Sequence, residues 1–123
     1  MQAFLWISLG AIAGANLRYL LSSLFARVTA EFPLGTLAIN VTGSFLLGFF
    51  MAWTTERVLA DPRWRLLIAV GFCGGYTTFS SYAFETMAYF EQGQWALFGA
   101  NILGNNLLSL AAVLGGIALA RVL

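Results

Sequence analysis

Four apolar windows, each long enough to cross a lipid bilayer as a helix, most constrain what this chain can fold into. A hydrocarbon core about 30 Å thick requires about 20 mostly apolar residues. Short connections, where charged and turn-forming residues gather, separate the windows, so consecutive helices are predicted to be antiparallel. We therefore predict an all-α membrane protein with one four-helix transmembrane domain over residues 1–123. The predicted helices run from Ala3 to Phe25, Gly35 to Thr55, Arg65 to Tyr89 and Trp95 to Ala120.

Composition excludes several classes of function. The chain is 60% hydrophobic and 9% charged, whereas a soluble domain carries about a quarter charged residues. Its net charge of +1, without a basic cluster, argues against nucleic-acid binding. The absence of His and the single Cys73 remove zinc sites and Cys/His catalytic pairs. We expect a protein surrounded by membrane lipid, without enzymatic activity, whose first segment is a retained helix.

The arginines predict an orientation in the membrane. Most of them fall at the face that both termini share, while Arg27 lies at the opposite face and Arg18 is buried towards it. The positive-inside rule then places both termini in the cytoplasm. The arginines on the shared face are Arg57, Arg63, Arg65 and Arg121.

Small residues on the first two helices predict close helix packing. Gly10 and Gly14 form a G-x-x-x-G motif, and Ser44 with Gly48 forms a similar pair. This spacing lets helix backbones approach closely in lipid. Packing within one chain and packing between two chains are equally compatible with it.

Polar residues at membrane depth are the informative ones, because a buried polar group in lipid must face a partner or a wet cavity. Asn101, Asn105 and Ser109 recur every four residues and share one face of the fourth helix, with Asn106 off that stripe. Asn40 lies about one turn inside the second helix, and its amide suits a partly dehydrated anion. This track indicates either an ion pathway or hydrogen bonds that join neighbouring helices. Three residues in register favour the pathway.

The centre of the third helix is the least helix-like stretch of the chain. Residues 74–82 read Gly-Gly-Tyr-Thr-Thr-Phe-Ser-Ser-Tyr. Glycine is unfavourable in a helix, and hydroxyl side chains compete for backbone hydrogen bonds. We predict a break near the bilayer midplane. The amides and carbonyls freed by such a break make good ion sites.

Three segments together resemble the Fluc (CrcB) family of fluoride channels. The resemblance covers essentially the whole chain, and Gly-Gly-x-Thr-Thr-Phe-Ser is its most specific part. Position 82 is Tyr where the family usually has Phe, which keeps an aromatic edge and adds a hydroxyl. The matching segments are Asn16 to Tyr19, Pro33 to Asn40, and Gly71 to Ser80 followed by Glu85.

The resemblance implies an antiparallel homodimer of dual topology in the bacterial inner membrane, with two fluoride pores. A structural sodium ion would lie at the centre of the dimer interface. The main-chain carbonyls of Gly74 and Thr77 from both subunits would hold it. The pore would use Asn40, the ring edges of Phe79 and Tyr82, the hydroxyls of Thr78 and Ser80, and the track of Asn101, Asn105 and Ser109.

The mechanism implied is passive conduction. Fluoride would exchange much of its hydration shell for amides, hydroxyls and aromatic edges spread along the path. The negative interior potential would drive it outward, which relieves cytoplasmic fluoride toxicity.

Arg18 and Glu85 are the charges that lie well inside the predicted helices. An intramembrane charge is usually paired or functional. We expect the two to share a polar network that is structural rather than in contact with the ion.

Two other functions fit a small four-helix membrane protein. A proton-coupled multidrug transporter typically needs a carboxylate in its first helix, where this chain has Arg18 and no acid. A non-conducting assembly subunit would explain the glycines but leaves the Asn/Ser track without a purpose.

Overall fold

The computed structural model describes residues 1–56 and 61–123, and these residues form four helical spans without a β-strand. The all-α prediction is confirmed. By length and apolar composition, α1, α2 and α5 can each cross a membrane, and they begin and end within two residues of the predicted bounds. The helices are α1 (Gln2–Ala26), α2 (Leu34–Glu56), α3 (62–76), α4 (Phe79–Glu91) and α5 (Trp95–Val122).

The third span consists of α3 and α4, which Thr77 and Thr78 separate. Both residues are extended, with ψ angles of 157° and 113°. The Thr78 hydroxyl then starts α4, since its Oγ1 accepts a hydrogen bond from the Ser81 backbone N–H at 3.2 Å. Hydroxyl residues favour this N-cap position over a helix interior. Within α3, a π-helical stretch occupies Arg65–Cys73.

Local sequence explains the ends of the third span. Asp61 caps the start of α3, because its Oδ1 accepts from the Arg63 backbone N–H at 2.9 Å and Pro62 follows it. At the end of α4, Gly93 adopts φ +69°. The Gln94 N–H donates to the Tyr89 carbonyl at 2.9 Å, which is the Schellman arrangement that glycine permits. The chain thereby turns directly into α5.

Glycines bring the helices into backbone contact within the chain. A Cβ at Gly10 or Gly14 would overlap the backbone of α3, at the carbonyls of Leu67 and Phe72. A Cβ at Gly48 on α2 would lie 2.6 Å from the Val113 carbonyl of α5. Gly10, Gly14 and Gly48 therefore pack against helices of the same chain, which is one of the two kinds of packing that the motifs predict.

The end of the bundle where α2 and α5 finish holds a surface ion pair. Arg121 Nε donates to Glu56 Oε1 at 2.9 Å, so these two helices are parallel, as alternate helices of an antiparallel series must be. Arg57, which the orientation prediction counts, lies outside the described residues. The orientation in a membrane stays a prediction.

Candidate functional site

The side chain of Asn40 pairs with the backbone of Thr78 at the interruption between α3 and α4. Its Oδ1 accepts from the Thr78 N–H at 2.9 Å, and its Nδ2 donates to the Thr78 carbonyl at 3.1 Å. The amide therefore supplies both hydrogen bonds that a peptide group of a neighbouring strand would supply. In this way α2 holds the extended residue in place.

The carbonyls of Gly74 and Thr77 are among those that lose their regular helical donors at the same point. In a continuous α-helix, the Thr78 N–H would donate to the Gly74 carbonyl and the Ser81 N–H to the Thr77 carbonyl. Here the first N–H donates to Asn40 and the second to the Thr78 hydroxyl. Gly74 is exposed in the single chain, and a Cβ there would have no described atom within 4 Å beyond its chain neighbours and the backbone of its own helix. The carbonyls predicted to hold sodium are thus among those that the interruption releases.

A ladder of side-chain hydrogen bonds leads from Asn40 along α5. Asn40 Nδ2 donates to Asn105 Oδ1 at 2.9 Å, and Asn105 Nδ2 donates to Asn101 Oδ1 at 2.9 Å. Asn101 Nδ2 donates in turn to Thr86 Oγ1 at 2.9 Å. Asn101 is fully buried and Asn105 nearly so. The structure therefore brings together Asn40, Asn101 and Asn105, which the sequence placed on separate helices.

A cavity of about 250 Å³ opens beside this ladder. The rings of Phe79 and Tyr82 lie edge to face, with centroids 5.3 Å apart and planes inclined by 65°. Phe79 is 77% exposed and Tyr82 is 9% exposed, so α4 holds the Tyr82 ring inside the chain and leaves the Phe79 ring on the surface. Residues lining the cavity include Asn40, Thr78, Phe79, Tyr82, Asn105 and Ser109.

The predicted hydroxyl residues occupy different environments. Thr78 Oγ1 donates to Ser81 Oγ at 3.0 Å and lies 3.4 Å from Ser80 Oγ. Ser80 is exposed. Ser109 Oγ is buried and has no hydrogen-bond partner within residues 1–56 and 61–123. The Ser109 hydroxyl neither donates nor accepts a hydrogen bond among the described residues.

The Glu85 carboxylate lies away from the ladder, against α2. Thr36 Oγ1 donates to Glu85 Oε1 at 2.7 Å, while Oε2 is buried without a partner among the described residues. Both residues line an open cavity of about 940 Å³ with Ser22 of α1. Glu85 and Arg18 form no ion pair in the described structure, so the predicted network between them stays a prediction.

Sequence reasoning missed several members of these networks. Thr36 and Thr86 were not singled out, although each is a hydroxyl residue inside an apolar span. Asn106 was placed off the polar stripe, yet its Nδ2 donates to the Tyr82 hydroxyl at 3.1 Å. Helical periodicity on one helix finds residues that share its face, but it does not identify partners on another helix.

Comparison with known proteins identifies the family. A family model described as CrcB-like protein, Camphor Resistance (CrcB), matches residues 5–117. The chain belongs to the CrcB-like family.

Relatives within the family match this chain over nearly their whole length. One from Koribacter versatilis (strain Ellin345) is 62% identical over 122 residues, which cover 98% of this chain and 97% of the relative. One from Solibacter usitatus (strain Ellin6076) is 47% identical, over 96% of this chain and 98% of the relative. A third, from Sulfurihydrogenibium sp. (strain YO3AOP1), is 44% identical over the full length of both. Each is named a fluoride-specific ion channel FluC, which is an ion channel and not an enzyme.

Proposed function

We propose that this protein is a fluoride-selective channel that passively exports fluoride from the cytoplasm and so relieves fluoride toxicity. The observation that carries the proposal is the amide ladder from Asn40 to Asn101, which borders a cavity edged by two aromatic rings. Its members are uncharged, so they can stabilise an anion without binding it too tightly to release. The names of the three relatives agree with this function.

The pathway follows the cavity and the ladder. Asn40, Asn101, Asn105 and Ser109 provide its polar side, with the hydroxyls of Thr78 and Ser80 at the interruption. Phe79 and Tyr82 provide ring edges, which carry the positive part of the aromatic quadrupole and can face an anion. Because the donors are distributed along the helix rather than gathered at one point, the ion can move from one to the next.

Two copies of the chain, inserted in opposite directions, complete the channel. The interruption at Thr77 and Thr78 then lies near the bilayer midplane. Irregular backbone at that depth is tolerated only where protein or a water-filled cavity covers it. In the single chain, the Gly74 end of the interruption is exposed. A second copy packed on this surface would cover it, and each copy would contribute one pore.

A sodium ion at the dimer centre suits the released carbonyls. Gly74 and Thr77 offer two neutral oxygens per chain, hence four in a dimer, and neutral oxygens are suitable ligands for a hard cation. The described residues include no cluster of His, Cys, Asp or Glu able to hold a metal. The ion would neutralise carbonyl dipoles that lipid cannot solvate, and thus hold the two copies together.

Membership of the CrcB-like family, together with three long apolar helices, indicates a multi-pass membrane protein. We place it in the bacterial inner membrane, where the interior-negative potential drives an anion outward at about 2.3 kcal/mol per charge per 100 mV. A proton-coupled multidrug transporter is disfavoured, since the family relatives are named channels and α1 carries Arg18 rather than an acid.

Efflux from liposomes tests the function. The purified protein is reconstituted into vesicles loaded with fluoride, and release is recorded with a fluoride electrode under a potassium gradient with valinomycin. We expect rapid fluoride release and, under the same gradient, little chloride release. Vesicles with the protein that retain fluoride as well as protein-free vesicles do would overturn the proposal.

A pair of phenylalanine variants tests the pathway. Phe79→Ile removes a ring edge from the cavity, and we expect at least a tenfold slower release of fluoride. Phe4→Ile is the matched control, because Phe4 is 75% exposed on α1 and Phe79 is 77% exposed on α4. It should retain the original rate. Equal rates in both variants would exclude Phe79 from the pathway.

A further inference from the structure

The Tyr82 hydroxyl is held by a residue that lies outside the polar stripe. Asn106 Nδ2 donates one N–H to the Tyr82 oxygen at 3.1 Å and the other to the Ile102 carbonyl at 2.8 Å. The bond to Ile102 holds the amide against its own helix, so the N–H that donates to Tyr82 has a fixed direction. Asn106 therefore fixes the hydroxyl end of the Tyr82 side chain to α5.

This contact leaves the Tyr82 proton free. A phenol has one O–H donor and accepts through its oxygen, and here the oxygen accepts from Asn106. Within the described residues, the hydroxyl makes no other hydrogen bond. The ring cannot easily rotate away, since it is buried on α4 and lies against the edge of Phe79. The result is an oriented donor on the wall of the cavity.

The amides of Asn40 and Asn105 are in the opposite condition. Both N–H groups of Asn40 are engaged, one by the Thr78 carbonyl and one by Asn105. The Asn105 amide nitrogen donates to the side chain and carbonyl of Asn101. An anion that accepts a hydrogen bond from these amides must first break a hydrogen bond inside the protein. It can accept a hydrogen bond from the Tyr82 hydroxyl without that loss.

Asn105 and Asn106 are neighbours on α5 and have different partners. Both lie in the π-helical turn Gly104–Leu108. Because consecutive residues of a helix point in different directions, Asn105 joins the ladder while Asn106 donates to Tyr82 of α4.

We propose that Asn106 is a positioning residue that orients the Tyr82 hydroxyl as a direct hydrogen-bond donor to the permeating anion. The inference rests on the proposed fluoride pathway and adds one donor to it. Fluoride is compact and strongly accepting, and a hydrogen bond from O–H to an ion is shorter and stronger than one between neutral groups. The ladder then acts mainly as scaffold at this level, while the hydroxyl contacts the ion.

Four proteins test the inference in the liposome assay: the original chain, Tyr82→Phe, Asn106→Leu and the double variant. Tyr82→Phe keeps the ring and deletes only the hydroxyl, and we expect fluoride release about tenfold slower. Asn106→Leu keeps the side-chain volume, and we expect a severalfold loss. In the Tyr82→Phe background, Asn106→Leu should change the rate less than twofold, because no hydroxyl remains to be oriented.

The matched control is Asn16→Leu. Asn16 also donates to the carbonyl four residues earlier, at 2.7 Å, on the exposed surface of α1, but it supports no aromatic hydroxyl. We expect an unchanged rate. If Asn106→Leu does not give a monodisperse protein in detergent, Asn106→Ala replaces it in the same two backgrounds.

Each outcome has one interpretation. If the original chain releases no fluoride, both the proposed function and this inference are wrong. If it releases fluoride and Tyr82→Phe is equally fast, the function stands and the hydroxyl donor is wrong. If Asn106→Leu slows both backgrounds by the same factor, Asn106 has a structural role that is independent of Tyr82, and its positioning role is wrong.

Discussion

The contact of α1 with α3 and the contact around the interruption at Thr78 are built in opposite ways. In the first, Gly10 and Gly14 let backbone touch backbone without room for a methyl group. In the second, Asn40, Asn105 and Asn101 hold three helices together through side-chain amides. Glycine gives the closest approach but presents no donor. The amide contact places polar groups beside the cavity that Phe79, Tyr82 and Ser109 line.

The largest effect is expected at the amide contact. Asn40→Leu keeps the volume but leaves the Thr78 N–H, the Thr78 carbonyl and the Asn105 oxygen without their partner. An unsatisfied buried group costs about 1–3 kcal/mol, so three of them should lower the stability by at least about 3 kcal/mol. Fluoride release should fall at least tenfold. The thermal unfolding midpoint in detergent and the liposome assay measure the two effects.

Asn16→Leu is again the control, because it removes one exposed bond to the backbone of its own helix. Its unfolding midpoint should stay close to that of the original chain. Similar midpoints for the two asparagine variants would contradict the idea that Asn40 braces the interruption.

The next effect tests the glycine contact. Gly14→Ala introduces a methyl group against the Phe72 carbonyl and within 2.8 Å of the Tyr76 nitrogen. Overpacking of this kind costs about 1–3 kcal/mol, and the melting temperature measures it. Gly99→Ala should instead be neutral or stabilising by up to about 1 kcal/mol, since the added carbon would meet no described atom within 4 Å beyond its chain neighbours and the backbone of its own helix. Equal melting temperatures would show that α1 and α3 are not this close.

A smaller effect is expected where the ladder ends. Thr86→Val removes the oxygen that accepts from Asn101 at 2.9 Å while it preserves the shape of the side chain. Interhelical side-chain hydrogen bonds in membranes average about 0.6 kcal/mol, and an orphaned amide raises the loss to about 1 kcal/mol. A double variant with Asn101→Leu checks the pairing. If the two losses simply add, the bond contributes nothing.

The smallest effect is expected for a threonine that bonds only to its own helix. Thr54 Oγ1 donates to the Phe50 carbonyl at 2.8 Å, and that carbonyl keeps its helical donor. Thr54→Val should therefore shift stability by less than about 0.5 kcal/mol. A larger shift than that of Thr86→Val would mean that burial, and not partnership between helices, decides these effects.

The sequence was sufficient for features that depend on one helix at a time. Hydropathy located α1, α2 and α5, because the length of an apolar run decides whether it can span lipid. The four-residue spacing placed Asn101 and Asn105 on one face, and the structure joins them by a hydrogen bond. The roles of these residues in conduction stay a prediction.

Features that depend on contacts between two helices could not be predicted from the sequence. The sequence did not show that Asn40 bonds to Thr78 and Asn105, and its role in the pathway stays a prediction. Asn106 lies off the stripe, as predicted, but periodicity along α5 could not predict its hydrogen bond to the Tyr82 hydroxyl of another helix. The register between helices and the local winding of a helix are set by packing, which no single helix encodes.

The extended conformation at Thr78 has a consequence for how the chain is made. Its N–H and carbonyl are secured by Asn40, which precedes it by 38 residues. During synthesis the second hydrophobic segment leaves the ribosome before the third, so Asn40 is in place when Thr78 is inserted. A third segment inserted without the second would be free to form one continuous helix.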